Sequence, residues 1–527
     1  MKKSLIITIF IITMLILASC SSPDSTGNSN APVDASSKTE ISIPIEKFRT
    51  LNPIMSKDED VYFMNKLIYD SLIDLDNNLV PVPELATSWT FENDGKMIIF
   101  TLNQDAKWHD GTPVTVNDVK FTIDALMRIK GTGQSLYDKN VANISSVSTL
   151  GQNQVLVKFR TSSNNALENF NFPIISKHQF VNTKNVYQIK EDFIPIGSGP
   201  YKYSKSAISN SILLTPNENY FKGVKAKNSL IFKIVPDKLS AINLFEIGDV
   251  MLTYSKAIDR ATIFSDKPVN IFPYNSNEVE FVGFNFNNKY TSDKRIRTAI
   301  AKLTDTQKII NQAYFGNGAR NDNIYFPSYL GKNSSDALIF TNFDDAKKLF
   351  AEVGYINRDT DPYLENSHGE EITINILVNA ENKSRIAAAQ IIKNSLDKLP
   401  IHSDIIVKDW NGYQSTINSG SYDIYIGGFK ISELYDLRFA LHSGVNNPVK
   451  YANPALDVYL DKMQSGITKE ARLETFTNIK TIINQDLPYF CLLYKTHAAV
   501  TSKNFQGTIN PYFYDIYHDS LDWKYIN

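Results

Sequence analysis

The stretch that decides the fold runs Pro83-Glu84-Leu85-Ala86-Thr87-Ser88-Trp89, then Asp94-Gly95, Phe100-Thr101-Leu102, Trp108-His109-Asp110-Gly111-Thr112-Pro113 and Asp118-Val119. Trp89-Thr90-Phe91 and Met97-Ile98-Ile99-Phe100 flank Asp94-Gly95, a tight-turn pair, so the first half predicts a β-hairpin. Trp108 to Pro113 is a turn-rich link. Asn117 is expected to cap a helix carrying Val119, Ile123, Leu126 and Met127 on one face and stopping near Gly131. Val155, Val157 and Phe159 then alternate as a half-buried strand does. Trp89 and Trp108 read as core, and His109 as a satisfied turn residue.

Further along, the same mixture repeats without a fixed period. Phe281 to Phe286 reads as a strand. Asp293, Asp305 and Asn342 stand where caps belong, before apolar stripes at Ile296/Ala299/Ile300/Leu303, Ile309/Ile310/Ala313 and Ala346/Leu349/Phe350/Val353. Gly316 and Gly354 are natural stops. Ile372, Ile374, Ile376 and Val378 alternate. Ile386, Ala389, Ile392, Leu396 and Leu399 form a helical stripe, and Asp423 to Phe429 is a short apolar strand. Asn453-Pro454 opens a helix, and Leu473, Phe476, Ile479 and Ile483 mark the last. The pattern is α/β throughout.

Before Pro83 the chain changes character. Lys2 and Lys3 precede an apolar run, Leu5 to Leu17, which is short of the ~20 residues of a spanning helix and fits a secretory signal. It ends in Leu17-Ala18-Ser19-Cys20, which resembles the lipobox of bacterial lipoproteins, where the Cys thiol receives lipid; the alternative is an ordinary signal peptide ending near a Cys. Ser21 to Lys38 is polar and reads as a tether. The expected product is extracytoplasmic and anchored to the membrane through lipid on Cys20. The other cysteine, Cys491, reads as a buried thiol.

The 527 residues, 43% hydrophobic and 21% charged, suit a globular chain of about three domains. Loss of Lys2 and Lys3 moves the formal charge from −2 to −4, so no basic surplus points to nucleic acid. There is no Gly-x-Ser-x-Gly, His-Glu-x-x-His, P-loop or Cys-x-x-Cys, and Gly316-Asn317-Gly318 and Gly131-Thr132-Gly133 lack the third glycine of a dinucleotide fingerprint. The seven histidines are scattered, with no pair at metal-ligand spacing. Asp58-Glu59 and Asp344-Asp345 suit solvated faces or helix N-termini. No enzyme chemistry, cofactor or metal is expected.

Taken in order, these segments resemble family 5 of the bacterial extracellular solute-binding proteins, the dipeptide- and oligopeptide-binding lipoproteins of ABC transporters. Leu51-Asn52-Pro53 with Ile68-Tyr69-Asp70-Ser71-Leu72 resembles the family's opening. Gly197-Ser198-Gly199-Pro200-Tyr201 resembles its return to the first domain, and Asp293 to Ile300 the start of its third. The resemblance implies an α/β, two-lobed periplasmic-binding-protein-like fold of the class II type, with an additional family-specific domain and a hinge between lobes. The implied division is signal peptide 1–19, tether 20–39, lobe 1 from 40–69, 194–284 and 500–527, domain II from 70–193, and lobe 2 from 285–499.

It also implies where ligand is met. Lys57, Asp58 and Glu59 match the family's N-terminal ligand loop, and Tyr137 falls near a ligand-stacking tyrosine. After Tyr422-Asp423, the peptide binders carry Gly-Trp and an Asp that meets the α-ammonium. Here the run is Gly427-Gly428-Phe429-Lys430-Ile431-Ser432-Glu433-Leu434-Tyr435-Asp436. Phe429 takes the Trp place and Ser432 the Asp place. Glu433 or Asp436 replaces the anchor, the ligand has no free α-ammonium, or these are solvated loop carboxylates. Gly428 and Lys430 complete the expected contacts. Asn285 is expected to serve the lobe crossing or backbone satisfaction.

The resemblance therefore implies a monomeric lipoprotein that captures a peptide and hands it to ABC permease and ATPase subunits. The alternatives are the same fold holding a nickel chelate, an opine-like compound or an oligosaccharide, or a surface sensor or adhesin without a transport role.

Overall fold

The computed structural model describes residues 40–525 except 163–166, 181–185, 257–263, 265–267, 322, 328, 332–338, 432–435 and 465–468. The signal, the tether and Cys20 lie outside the described residues.

The hairpin forms as its turn chemistry dictates. Strands Ala86–Glu92 and Met97–Leu102 pair antiparallel, and Asn93, Asp94 and Gly95 all take positive φ between them. Strands Gln154–Phe159 and Ile144–Leu150 extend the pair into a four-stranded sheet on which helix Val116–Ile129 packs. That helix is capped by Thr115, not by the expected Asn117. Thr115 and Asp118 make a capping box, with the Thr115 amide donating to Asp118 Oδ2 at 2.8 Å, and this places Asn117 inside the first turn. Trp108 is buried, whereas Trp89 is half-buried and packs against the core.

The excursion through this sheet returns at Gly197-Ser198-Gly199. The Gly199 amide donates to Ile68 O at 2.9 Å, and a Cβ on Gly197 would stand 1.7 Å from that same oxygen. Only glycine permits this approach. His109 seals the other side: its Nε2 donates to Gly199 O at 3.0 Å and its Nδ1 accepts from the Gly197 amide at 3.2 Å. Burial holds its pKa down at about 4, so it is a neutral turn residue, as its sequence setting indicates.

A second four-stranded sheet runs in the order Ile41–Glu46, Leu230–Val235, Ser211–Pro216, Tyr201–Ser204, its first pair parallel. The third sheet joins the lobes. Two long strands, Val269–Phe284 and Tyr489–Ser502, lie side by side. Leu252–Ser255 adds to the second long strand at one end. Ile424–Lys430, Ile376–Asn379 and Ile405–Lys408 continue the sheet from the other. Tyr489 to Tyr494 is buried on both faces, which accounts for its unbroken apolar run and for Cys491 at 1% exposure. Between Asn275/Thr496 and Val279/Tyr494 the register breaks, so Ser276, Asn277 and Glu278 face Lys495 alone.

Helices Lys294–Leu303, Thr306–Ala313, Phe343–Val353 and Lys383–Leu396 pack with this end of the sheet around a second core. Asp293, Asp305 and Asn342 cap the first three, accepting from Arg295, Lys308 and Asp345 amides. Gly354 closes the third at φ +98°. The first long strand ends at Phe284, and Asn285 Nδ2 donates to Gly420 O at 2.9 Å and Tyr422 O at 2.6 Å, satisfying backbone. The whole is a two-lobed α/β fold. No helix among the described residues is long and apolar enough to cross a membrane.

Candidate functional site

Two adjoining hollows of about 1000 Å³ each, counted out to the mouth, meet over the register break. Glu59, Phe63, Asn277, Lys430 and Phe513 line both. Helix Glu59–Ile68 supplies one wall, with acids in its first turn where the helix dipole favours them. The end of strand Ile424–Lys430 supplies the opposite wall, and the break in the long strands supplies the floor. Tyr254, Tyr274 and His497 add an aromatic side, the last two edge to face at 5.8 Å. A large hollow with apolar faces and a few polar groups is the usual form of a small-molecule site.

The charges are arranged in a chain. Lys430 Nζ stands 3.2 Å from Glu278 Oε1, and Lys495 Nζ reaches Glu278 at 3.0 Å and Glu280 at 3.1 Å. Below them, Arg385 binds Glu280 through Nε at 2.7 Å and a second nitrogen at 3.2 Å, with Asn379 Oδ1 on its remaining face. Burial alone would raise Glu278, but Lys495 and Lys430 outweigh it and hold its pKa at about 2. Burial would lower Lys495, and the two glutamates leave it raised. At the mouth, Glu59 pairs with Lys256, which overcomes partial burial and lowers the carboxyl. Asp60, more deeply set, is raised by burial while accepting from the Glu46 amide at 2.8 Å.

The residues singled out from sequence separate here. Lys57, Glu59 and Lys430 line the cleft. Asp58 sits at the helix N-cap, accepting from the Arg49 amide, and does not line it. Tyr137 is buried, 6.1 Å from Phe172, and faces a separate cavity, although its neighbour Leu136 lines the cleft. Gly428 pairs with Glu280, where a Cβ would stand 2.5 Å from Val279 O. Phe429 packs on Phe281 at 4.8 Å and Phe439 at 5.0 Å. Asp436 is held by Arg438 at 2.7 Å, beside a smaller hollow with Leu437 and Phe476. Ser432 and Glu433 lie outside the described residues. Sequence reasoning missed Lys139, Lys256 and Glu278. Lys139 carried one signal, its place two residues after Tyr137.

Among the described residues, no group of three or more His, Cys, Asp and Glu side chains converges as a metal ion requires.

Two lobes joined by paired crossing strands, with a deep cleft over the crossing, define a solute-binding protein. The chain belongs to family 5 of the bacterial extracellular solute-binding proteins, whose profile matches residues 80–442. It is 24% identical over 531 residues to the oligopeptide-binding protein AppA of Bacillus subtilis, covering 95% of each chain. It is 21% identical to heme-binding protein A of Haemophilus influenzae, over 97% of this chain and 98% of that one. The solved structure of HbpA2 from Haemophilus parasuis superimposes with a TM-score of 0.77 at 18% identity, over 93% of this chain and all of the other, which establishes the shared fold.

Proposed function

We propose that the protein is the capture subunit of an ABC importer, held outside the membrane by lipid on Cys20, and that it encloses a peptide in the cleft between helix Glu59–Ile68 and strand Ile424–Lys430. The observation that carries this reading is the cleft itself: about 1000 Å³ on each side of its shared walls, roofed by charged and aromatic side chains and floored by the strands that cross between lobes. A peptide loses its water shell on entry, so its amides and termini need partners from both walls. Lys57, Glu59 and Lys430 serve as such partners in this reading, and closure about the register break completes the enclosure. The division into lobe 1, domain II and lobe 2 given above belongs to the same proposal, as does the delivery to permease and ATPase subunits.

One observation favours a second reading. The carboxylates described nearest the expected ammonium anchor are already engaged: Glu59 with Lys256, Glu278 with Lys430 and Lys495, Asp436 with Arg438. Lysines 57, 139, 238, 256 and 430 line the same cleft. Of these, Lys57 and Lys139 have no ion pair among the described residues and suit a solute with carboxylate groups, such as an anionic chelate or a porphyrin, and a heme-binding protein stands among the relatives.

Native mass spectrometry of the chain from Ser21 onward separates the readings. A ladder of short-peptide masses is expected from the first. One defined non-peptide mass assigns the second and removes the first. Stripping and restoring the ligand should lower and then recover Tm, by RT ln(1 + [L]/Kd) in free energy.

A further inference from the structure

A second, smaller hollow, about 430 Å³ counted out to its mouth with about 50 Å³ open to a water-sized occupant, lies beside the cleft, behind the C-terminal half of helix Glu59–Ile68. Tyr62 lines both spaces. Asn65 and Tyr69 project into it from successive turns, four residues apart and therefore on one face. Each is 3% exposed, and Asn65 Oδ1 and the Tyr69 hydroxyl have no hydrogen-bond partner among the described residues. An oxygen buried without a partner costs about 1–3 kcal/mol, so two at one cavity ask for an occupant.

The remaining lining is acidic. Asp70, Asp74, Glu84 and Asp515 surround the space, with Lys66 and Lys222 as the lysines set against them. Lys66 is taken by Asp74 at 2.9 Å, and Lys222 by Glu84 at 2.7 Å. Asp70 accepts from Ser198 Oγ at 2.7 Å and from the Tyr220 hydroxyl at 2.9 Å, and that hydroxyl also lies 3.3 Å from Glu84. Four carboxyl groups thus face two ammonium groups, with His518 3.9 Å from Asp515 as a further basic neighbour. Burial, then the neighbouring Asp70, raises Glu84 well above the carboxylate range, and burial pushes Asp515 up to about 6. Asp74 goes the other way, lowered by Lys66 against its burial.

We propose that this cavity binds a small ammonium-type cation, held by Asn65 Oδ1 and the Tyr69 hydroxyl in the field of the surrounding carboxylates. The two unpartnered oxygens accept from N–H donors, and the carboxylates supply charge from further out. The carboxylates do not converge on one point among the described residues, so the geometry is that of a diffuse monovalent cation site and not of a divalent metal. The occupant is either free ammonium or the amino end of a larger amine reaching past Tyr62. Free ammonium would occupy the cavity independently of what the main cleft captures, whereas a larger amine would enter it from the cleft side, past Tyr62.

The test is the Tm of the full chain in ammonium chloride and in ethylammonium chloride, against sodium and tetramethylammonium chloride at equal ionic strength. A saturable rise over both reference salts, on the order of 1–3 °C, is expected. A rise with ammonium alone identifies the free cation, and a rise with ethylammonium identifies the amino end of a larger amine. Tyr69→Phe and Asn65→Leu should each abolish the rise. Tyr69→Phe removes a hydroxyl that bonds nothing in the protein, so it does not threaten the fold. Identical Tm in all four salts, or a rise that both variants keep, means that the cavity holds ordered water only and overturns the proposal.

Discussion

Two groups of acids lie on either side of helix Glu59–Ile68, and one member of each, Glu278 and Asp515, is driven in the opposite direction to the other. At the strand crossing, Glu278 and Glu280 face Lys430, Lys495 and Arg385, and Glu278 is held down at about 2. Behind the helix, Asp70, Asp74, Glu84 and Asp515 face Lys66 and Lys222, with His518 3.9 Å from Asp515, and burial pushes Asp515 up to about 6. Burial is common to both. The difference is the supply of partners: Glu278 has two lysines, one of them shared with Glu280, whereas the lysine nearest Asp515 is already paired with Asp74.

The largest effect should come from breaking the paired side. Arg385→Met strips Glu280, 1% exposed, of its bidentate partner and should cost about 3–5 kcal/mol, read as a lower urea midpoint at unchanged slope. A loss under 1 kcal/mol would show that Lys495 alone suffices. Next comes the unpaired side, with the opposite sign. The folded pKa of Asp515 lies above its unfolded value, so its charge costs stability above pH 6, and protonation relieves that cost as pH falls toward 4. Asp515→Asn should therefore stabilise the protein by roughly 1–3 kcal/mol at pH 8 and by nothing near pH 3. A uniform gain at both pH values would assign the effect to packing.

Glu278 sharpens the contrast. Its folded pKa is depressed, so its stabilisation is fully present above about pH 4.5 and is lost as pH falls toward 2. It is partly exposed, so solvent screening reduces the stake to about 1 kcal/mol. Glu278→Gln should flatten that acid limb in pH-dependent urea titrations. The smallest stability change belongs to the cleft mouth: Lys256→Ala frees half-exposed Glu59 and should shift unfolding by under about 1 kcal/mol, while altering ligand-induced Tm shifts.

The elements were legible in the sequence wherever local chemistry sets them. The Asp94-Gly95 turn, the caps at Asp293, Asp305 and Asn342 and the Gly354 stop all depend on neighbours within four residues. The cap at residue 115 was misplaced because Asn117 and Thr115 are both good cap residues and only the reciprocal bond to Asp118 decides. The long strands were harder. Phe281 to Phe286 stood out as a strand, but Val269 to Asn275 is mixed in polarity and is ordered by its pairing with Thr496 to Ser502. The site was legible in part for the same reason. Lys57, Glu59 and Lys430 came from motif position, whereas Lys256 and Glu278 acquire meaning only through partners 197 and 152 residues away. Phe429 occupies a ligand-contact position in the sequence pattern yet finds Phe281, Phe439 and Tyr489 closer to hand.

The contact between Gly199 and Ile68 has a further consequence. The chain leaves for its 86–159 sheet and comes back through a single doorway, with the two edges of that doorway fastened amide to carbonyl at 2.9 Å. Whatever lies beyond is topologically a cul-de-sac. Apart from Leu136, Lys139 and Asn140, which line the cleft themselves, and Glu168, which is paired with Arg472, its surface can change without moving the jambs. A side chain on Gly197 would instead wedge the doorway open, and a change far from any ligand would then be felt as a shift in the cleft wall.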